Sequence, residues 1–209
     1  MIRVIVVDDH PVVRRGLKQI IAAEPDMRVV GEAETAHEAL RVIRETACDA
    51  VVLDITLPDA TGLDVLGRLE SERSTLPVLI MSVHEEQQYA MRVLKAGASG
   101  YLMKNSIPEE LVRAIRKIAS GGKYISPSFA ERLASERDSP ETPLHEKLSN
   151  REFQVMRLIA AGKSLKEIGN TLNVSDKTVS SYRSRILEKM KMSANAELTR
   201  YALEHHLLP

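Results

Sequence analysis

Along the first 120 residues, short runs rich in Val, Ile and Leu alternate with longer stretches whose apolar positions recur every three or four residues. The runs Arg3–Val7, Arg28–Ala33, Ala50–Leu53, Pro77–Ser82 and Gly100–Leu102 lack strict alternation, as strands buried on both faces do. Helical spacing predicts helices over Val12–Ala23, Ala36–Thr46, Gly62–Ser71, Gln87–Lys95 and Glu109–Ala119. Five strand-then-helix units in succession predict a doubly wound α/β domain, a five-stranded parallel sheet covered by helices on both faces.

The pattern changes after Ala119. Ser120-Gly121-Gly122 reads as a helix end, and Ser126-Pro127 as an N-cap followed by proline at the first helical position. A short helix to about Ala134 is expected there, and Arg137–Glu146, with two prolines and few apolar residues, is the best linker candidate. The boundaries predicted are 1–120 for the first domain, 121–146 for the linker with its short helix, and 147–209 for a second domain that is all helix. Ser149-Asn150-Arg151-Glu152 and Ser164-Leu165-Lys166-Glu167 are capping boxes, in which serine accepts from the third helical amide and glutamate reaches back. Ser175 starts a third helix that runs to about Met190, and a fourth spans about Ala194 to His205. Asn173-Val174-Ser175 leaves only a tight turn between the second and third, which predicts a helix-turn-helix.

Composition narrows the class. With 44% hydrophobic and 28% charged residues, the 209-residue chain reads as globular rather than disordered. No apolar run approaches the roughly 18 residues needed to span a bilayer, and no charged-then-apolar leader follows Met1. A single cysteine, Cys48, excludes an internal disulfide and a multi-cysteine metal site. Together these predict a cytoplasmic location and no membrane partner. Charge is uneven along the chain. Residues 1–120 carry 15 Lys+Arg against 18 Asp+Glu, and residues 121–209 carry 14 against 11. Lys163–Lys191 holds seven basic and three acidic residues, net +4, the sign expected of a segment that meets a polyanion.

The first strand ends in Asp8-Asp9 and the third in Asp54. In an open α/β sheet ligands bind beyond the carboxyl ends of the strands where the winding reverses. Strand order 2-1-3-4-5 puts that point between strands one and three, so the three carboxylates converge. At about 5 Å separation and an effective dielectric near 20, each like-charged pair costs roughly 3 kcal/mol. Protonation or a cation must compensate, and a small cluster of hard oxygens with open positions suits Mg²⁺. A carboxylate beside that ion is able to attack a phosphoryl donor. Ser82, ending strand four, offers a hydroxyl to the phosphoryl group, and Lys104, after strand five, an ammonium.

Val4–Asp9, Asp54 with Pro58 and Gly62, Ser82, and Gly100-Tyr101-Leu102-Met103-Lys104 resemble the flavodoxin-like receiver domain of bacterial response regulators over residues 1 to about 120. The resemblance implies that Asp54 is the phosphoacceptor. It also implies that Asp8, Asp9, Asp54 and the Thr56 backbone carbonyl hold Mg²⁺, that Ser82 and Lys104 contact the phosphoryl group, and that Tyr101 swings inward when Ser82 moves. The chain departs from many receivers in carrying Ser82 in place of threonine and Asn105 in place of proline.

The third C-terminal helix puts Val179, Ile186 and Met190 at inward spacing and leaves hydroxyls and cations on the other face, which suits a major groove. Leu148-Ser149-Asn150-Arg151-Glu152, Lys166-Glu167-Ile168, Val174-Ser175, Thr178-Val179 and Ile186-Leu187-Glu188-Lys189-Met190 resemble the LuxR-type helix-turn-helix. The whole chain thus resembles a NarL/FixJ-family response regulator. Its base-reading positions fall on Ser180, Ser181 and Ser184, its phosphate contacts on Lys177, Thr178, Arg183 and Arg185, and its dimer contacts on Leu198, Tyr201 and Ala202, which serve equally well as domain core. The expected partners are a sensor histidine kinase, double-stranded DNA and a second copy of the chain, joined on phosphorylation or DNA binding. The chain is expected to regulate transcription, not to act as an enzyme beyond self-dephosphorylation. Two rivals are an aspartyl-phosphate phosphatase, against which Asp54-Ile55-Thr56 lacks a second acid, and a phosphorylated adaptor whose helical domain binds protein.

Overall fold

The computed structural model describes residues 1–72, 75–83, 86–127, 129–131, 143–172, 174–205 and 207–208, with backbone alone for 86–89. The chain forms two compact units, Met1–Ser135 and Glu136–Pro209. Among the described residues no helix is long and apolar enough to cross a membrane.

The first unit alternates β1 (Ile2–Val7), α1 (Pro11–Ala22), β2 (Met27–Ala33), α2 (Ala36–Glu45), β3 (Ala50–Asp54), α3 (Gly62–Ser71), β4 (Val78–Ser82), α4 (Glu86–Lys95), β5 (Gly100–Met103) and α5 (Pro108–Ala119). Its sheet is parallel in the order β2-β1-β3-β4-β5, as the winding argument expects. Every residue of β3 and β4 is buried, because helices cover both faces. Local chemistry sets the helix starts. Pro11 and Pro108 open α1 and α5, where a missing amide costs nothing. Thr61 and Asp64 form a capping box at α3, bringing that helix up directly behind the end of β3. On α5, Leu111, Ala114, Ile115 and Ile118 recur at helical spacing and are buried under the sheet.

The first unit continues past residue 120. Tyr124 bridges to Gly100 in parallel, its carbonyl accepting from the Tyr101 amide at 3.1 Å and its own amide donating to Ser99 at 2.9 Å. Ser126 then caps a helical start, accepting from the Phe129 amide at 3.2 Å, and Phe129 is buried. Tyr124 is therefore built onto the β5 edge, and the first compact unit, Met1–Ser135, runs past the expected boundary at 120. The rest of the predicted short helix and most of the predicted linker, residues 132–142, lie outside the described residues.

The second unit comprises a 3-10 turn (Leu144–Lys147) and helices α6 (Asn150–Ala160), α7 (Leu165–Leu172), α8 (Asp176–Met190) and α9 (Asn195–Glu204). Both serine–glutamate capping boxes form, at Ser149–Glu152 and Ser164–Glu167, and the Ser175 hydroxyl accepts from the Thr178 amide. Glu152 is buried, and burial pushes its carboxyl up. Hydrogen bonds from Lys189 and from the Ser149 amide and hydroxyl outweigh that push and hold it below the ordinary glutamate range. Arg157, also buried, donates to the Leu207 carbonyl at 2.7 Å and fastens the chain after α9.

The turn between α7 and α8 depends on Gly169. A Cβ there would stand 2.7 Å from the Val174 backbone carbonyl and 3.1 Å from Asp176 Oδ1. Gly169→Ala is therefore expected to destabilise the second unit by about 1–3 kcal/mol through overpacking. Urea melts followed by helical signal check this, and an alanine variant as stable as wild type would contradict the close approach.

Candidate functional site: a buried acidic cluster and an exposed basic helix

The strand ends bring the predicted side chains to one edge of the sheet. Asp8 directly follows β1 and is 1% exposed, and Asp54 terminates β3 and is 3% exposed. Lys104 follows β5, held there by its amide donating to the Ser82 carbonyl at 2.7 Å. Its ammonium lies 2.7 Å from Asp8 Oδ2 and 2.7 Å from Asp54 Oδ2. Asp9 is half-buried beside them. Three carboxylates and an ammonium drawn from three strands thus meet.

Local hydrogen bonds aim the acids. Asp8 Oδ1 accepts from the His10 amide at 2.8 Å, and the Asp8 carbonyl accepts from Arg14 at 2.6 Å. Arg14 also pairs with Glu32 and Glu34, so α1 clamps the ends of β1 and β2 together. Asp54 Oδ1 accepts from the Thr56 amide at 3.2 Å. After β3 the chain folds tightly, with Thr56 bridged to Thr61 and the Gly62 amide donating to Ile55 at 2.9 Å. A Cβ on Gly62 would come within 2.5 Å of the Asp54 carbonyl, so only glycine lets α3 start this close to the acid. Asp59 ties the same loop to α2 by accepting from the Ala36 and His37 amides at 2.8 and 3.0 Å.

Charge is out of balance at this edge. Burial pushes the Asp54 carboxyl up to about 6, against the pull of Lys104 and with a further push from Asp8. Burial also opposes the Lys104 charge, but Asp54 and Asp8 together hold its ammonium above the ordinary lysine range. Asp8 Oδ2 and Asp9 Oδ1 are buried and accept no aligned hydrogen bond. Hard oxygen donors in excess of positive charge fit a small divalent cation. Ligand atoms of Asp8, Asp9, His10 and Asp54 lie within 4.8 Å of one another, so the cluster is compatible with Mg²⁺. His10 and Arg14 were not singled out in the sequence. His10 follows the acid pair directly, which is the one local signal for it.

Ser82 is fully buried at the end of β4, one residue beyond Met81, which pairs with Asp54. Tyr101 is buried on β5, opposite Ile80. Thr56 is exposed, two residues beyond Asp54.

In the second unit Val179, Ile186 and Met190 are buried, so α8 packs by the expected face. Lys177, Ser180, Ser181, Ser184 and Arg185 are exposed, whereas Thr178 and Arg183 are half-buried. The Ser181 and Ser184 hydroxyls donate to the carbonyls of Lys177 and Ser180 one turn back. Arg183 donates through Nε to Asn195 Oδ1 at 2.7 Å and braces α8 against the start of α9. Of the two readings of Leu198, Tyr201 and Ala202, burial supports the domain core. Leu198 and Ala202 are fully buried and Tyr201 nearly so, in the core of their own domain, where the Tyr201 hydroxyl lies 2.9 Å from His145 Nδ1. Their spacing makes the one apolar stripe of α9, and the domain core uses it. Leu203, 58% exposed, is the large apolar side chain that α9 presents to solvent.

Both units match known families. Residues 4–116 match the family model described as the response regulator receiver domain, and residues 146–202 match that of bacterial regulatory proteins of the luxR family. The chain is 37% identical to the response regulator UvrY of Escherichia coli K12 over 99% of its own length and 96% of that protein's. It is 36% identical to the response regulator GacA of Pseudomonas aeruginosa PAO1 over 100% of this chain and 98% of that one. Among solved structures, a LuxR-family two-component response regulator from Aurantimonas sp. SI85-9A1 is 40% identical with a TM-score of 0.62, covering 66% of this chain and 99% of that one.

Proposed function

The chain belongs to the NarL/FixJ-family response regulators, a receiver joined to a LuxR-type DNA-binding domain, and on that premise we propose that Asp54 is its phosphoryl acceptor. Proteins of this family regulate transcription through phosphorylation-dependent binding to DNA, and so does this one. One observation carries the assignment of the acceptor: a single buried ammonium lies 2.7 Å from oxygens of both Asp54 and Asp8. That arrangement leaves an electron-rich carboxylate at the sheet edge, next to a cation able to hold a new phosphoryl oxygen.

Asp8, Asp9, Asp54 and the Thr56 carbonyl would hold Mg²⁺, which when bound neutralises charge on the donor and on the acids. The Asp54 oxygen forms the new bond to phosphorus as the bond to the histidine nitrogen of a sensor kinase breaks. Lys104 and Ser82 then contact the phosphoryl oxygens, and Tyr101 packs behind them. The acyl phosphate is later lost to water, the chain's only expected hydrolytic step. The receiver proposed spans 1–120 with Tyr124 paired on its edge, and the DNA-binding domain 147–209. Ser180, Ser181 and Ser184 face the bases while Lys177, Thr178, Arg183 and Arg185 face the phosphates, on a cytoplasmic homodimer formed on phosphorylation or on DNA.

Phosphorylation must shift the population by about 5 kcal/mol to carry it from mostly inactive to mostly active. Genomic footprinting with and without acetyl phosphate tests the proposal: protected sites should multiply with the donor. Affinity for one such site should fall steeply with salt, by about tenfold or more over a fourfold rise, because several phosphates are neutralised. A flat salt response would point to a protein partner for the helical domain.

A further inference from the structure

His10 stands where a helix N-cap belongs, yet its side chain makes no capping hydrogen bond. Serine, threonine, aspartate or asparagine is the usual choice there, because their short oxygens reach the free amides. The ring instead turns into the acidic pocket. Its Nδ1 lies 2.6 Å from Asp9 Oδ1 and 3.3 Å from Asp8 Oδ1. Those separations bracket the roughly 3.0 Å edge between neighbouring ligands at metal–ligand bonds of about 2.1 Å. The ring is 63% exposed, so an ion reaches it from solvent. Asp9 Oδ1, the oxygen nearest to Nδ1, is buried and has no hydrogen-bond donor beyond that ring contact.

We propose that His10 makes this pocket a mixed carboxylate–imidazole site, which takes a late first-row divalent cation such as Co²⁺, Ni²⁺ or Zn²⁺ through Nδ1 together with Asp8, Asp9 and Asp54. The inference rests on reading the acids as a cation site and adds a nitrogen ligand and a class of ion to it. Mg²⁺ prefers oxygen and keeps its waters, so it draws little from an imidazole. Ions later in the row gain most from nitrogen. The two classes of cation therefore compete for the same carboxylates but respond differently to the ring.

The test uses the full chain and two probes, Co²⁺ read by calorimetry and visible absorption, and Mg²⁺ read by calorimetry. His10→Ala should weaken Co²⁺ binding tenfold or more while changing Mg²⁺ affinity no more than about twofold. Excess Mg²⁺ should displace one equivalent of Co²⁺ from wild type. Unchanged Co²⁺ affinity in the variant would overturn the proposal, as would an equal weakening of both ions, which would make the ring a mere prop for the loop. Where wild type does bind Mg²⁺, Co²⁺ that Mg²⁺ never displaces would place it on other side chains and overturn the proposal too. His10→Gln, closer in bulk, carries the same expectation should the alanine variant fold poorly. If wild type binds Co²⁺ but no Mg²⁺, the magnesium reading fails while the imidazole site stands. If it binds neither, both fall.

Discussion

Asp54→Asn abolishes labelling by acetyl phosphate and, with divalent cations chelated, leaves the chain more stable than wild type at neutral pH. The loss of labelling is complete because an amide neither attacks phosphorus nor balances the charge of the bound ion. The gain in stability follows from the raised carboxyl. Burial pushes Asp54 up to about 6 from an ordinary 3.8, so the folded chain holds a proton that the unfolded chain has already released. Where the folded state binds more protons, stability falls as pH rises. Wild type without divalent cation therefore loses stability between about pH 4 and 6, and above that the full penalty is present. Two pH units correspond to roughly 3 kcal/mol as an upper bound, and the loss of a partner for Lys104 reduces the net gain to about 1–2 kcal/mol. Urea melts across that range check it. Equal stability of both proteins at neutral pH would mean that Asp54 is not strained by burial, and persistent labelling would place the acceptor elsewhere.

Lys104→Met works in the opposite direction. The ammonium is the only cation bridging Asp8 and Asp54 among the described residues, and removing one partner of a buried ionic set costs about 3–5 kcal/mol. Chelated Lys104→Met should be destabilised by that order at neutral pH. The deficit should shrink as pH falls toward about 6, because Asp54, no longer held down by Lys104, takes up a proton in the variant first, and added Mg²⁺ should recover much of it. Labelling of Asp54 should persist at a reduced rate, while the donor no longer improves DNA protection, because the ammonium that reads the phosphoryl group is gone. Chelated variant and wild type melting together would refute the ionic account. A variant that still answers to the donor would refute the role of Lys104 in reading it.

The regular elements of both units were legible because each carries its own local signal. Runs such as Val4–Val7 and Ala50–Leu53 announce buried strands, and the serines at 149, 164 and 175 announce helix starts. The acid–lysine cluster was legible for another reason: a parallel sheet delivers every strand end to the same edge, so knowing the strands is enough to assemble the site. What could not be read depends on contacts distant in sequence. Lys123-Tyr124-Ile125 is too short to show a period, and only the free edge of β5 makes it pair. Asp59 looks like a turn former, and its role at the start of α2 exists only once the loop is folded. On α9 the sequence shows an apolar stripe but not what covers it, which leaves Leu198, Tyr201 and Ala202 open between a partner and the domain core that takes them. His10 carries no periodicity of any kind; its place emerges from the turn of the chain between β1 and α1.

The pairing of Tyr124 with Gly100 bears on how the receiver should be isolated for spectroscopy or crystallisation. A fragment cut at residue 120 would carry a raw rim, with the Tyr101 amide and the Ser99 carbonyl bare and ready to recruit a strand from a neighbouring molecule. Extending the fragment to Ser135 keeps the seam sewn, so the longer piece is the one to express.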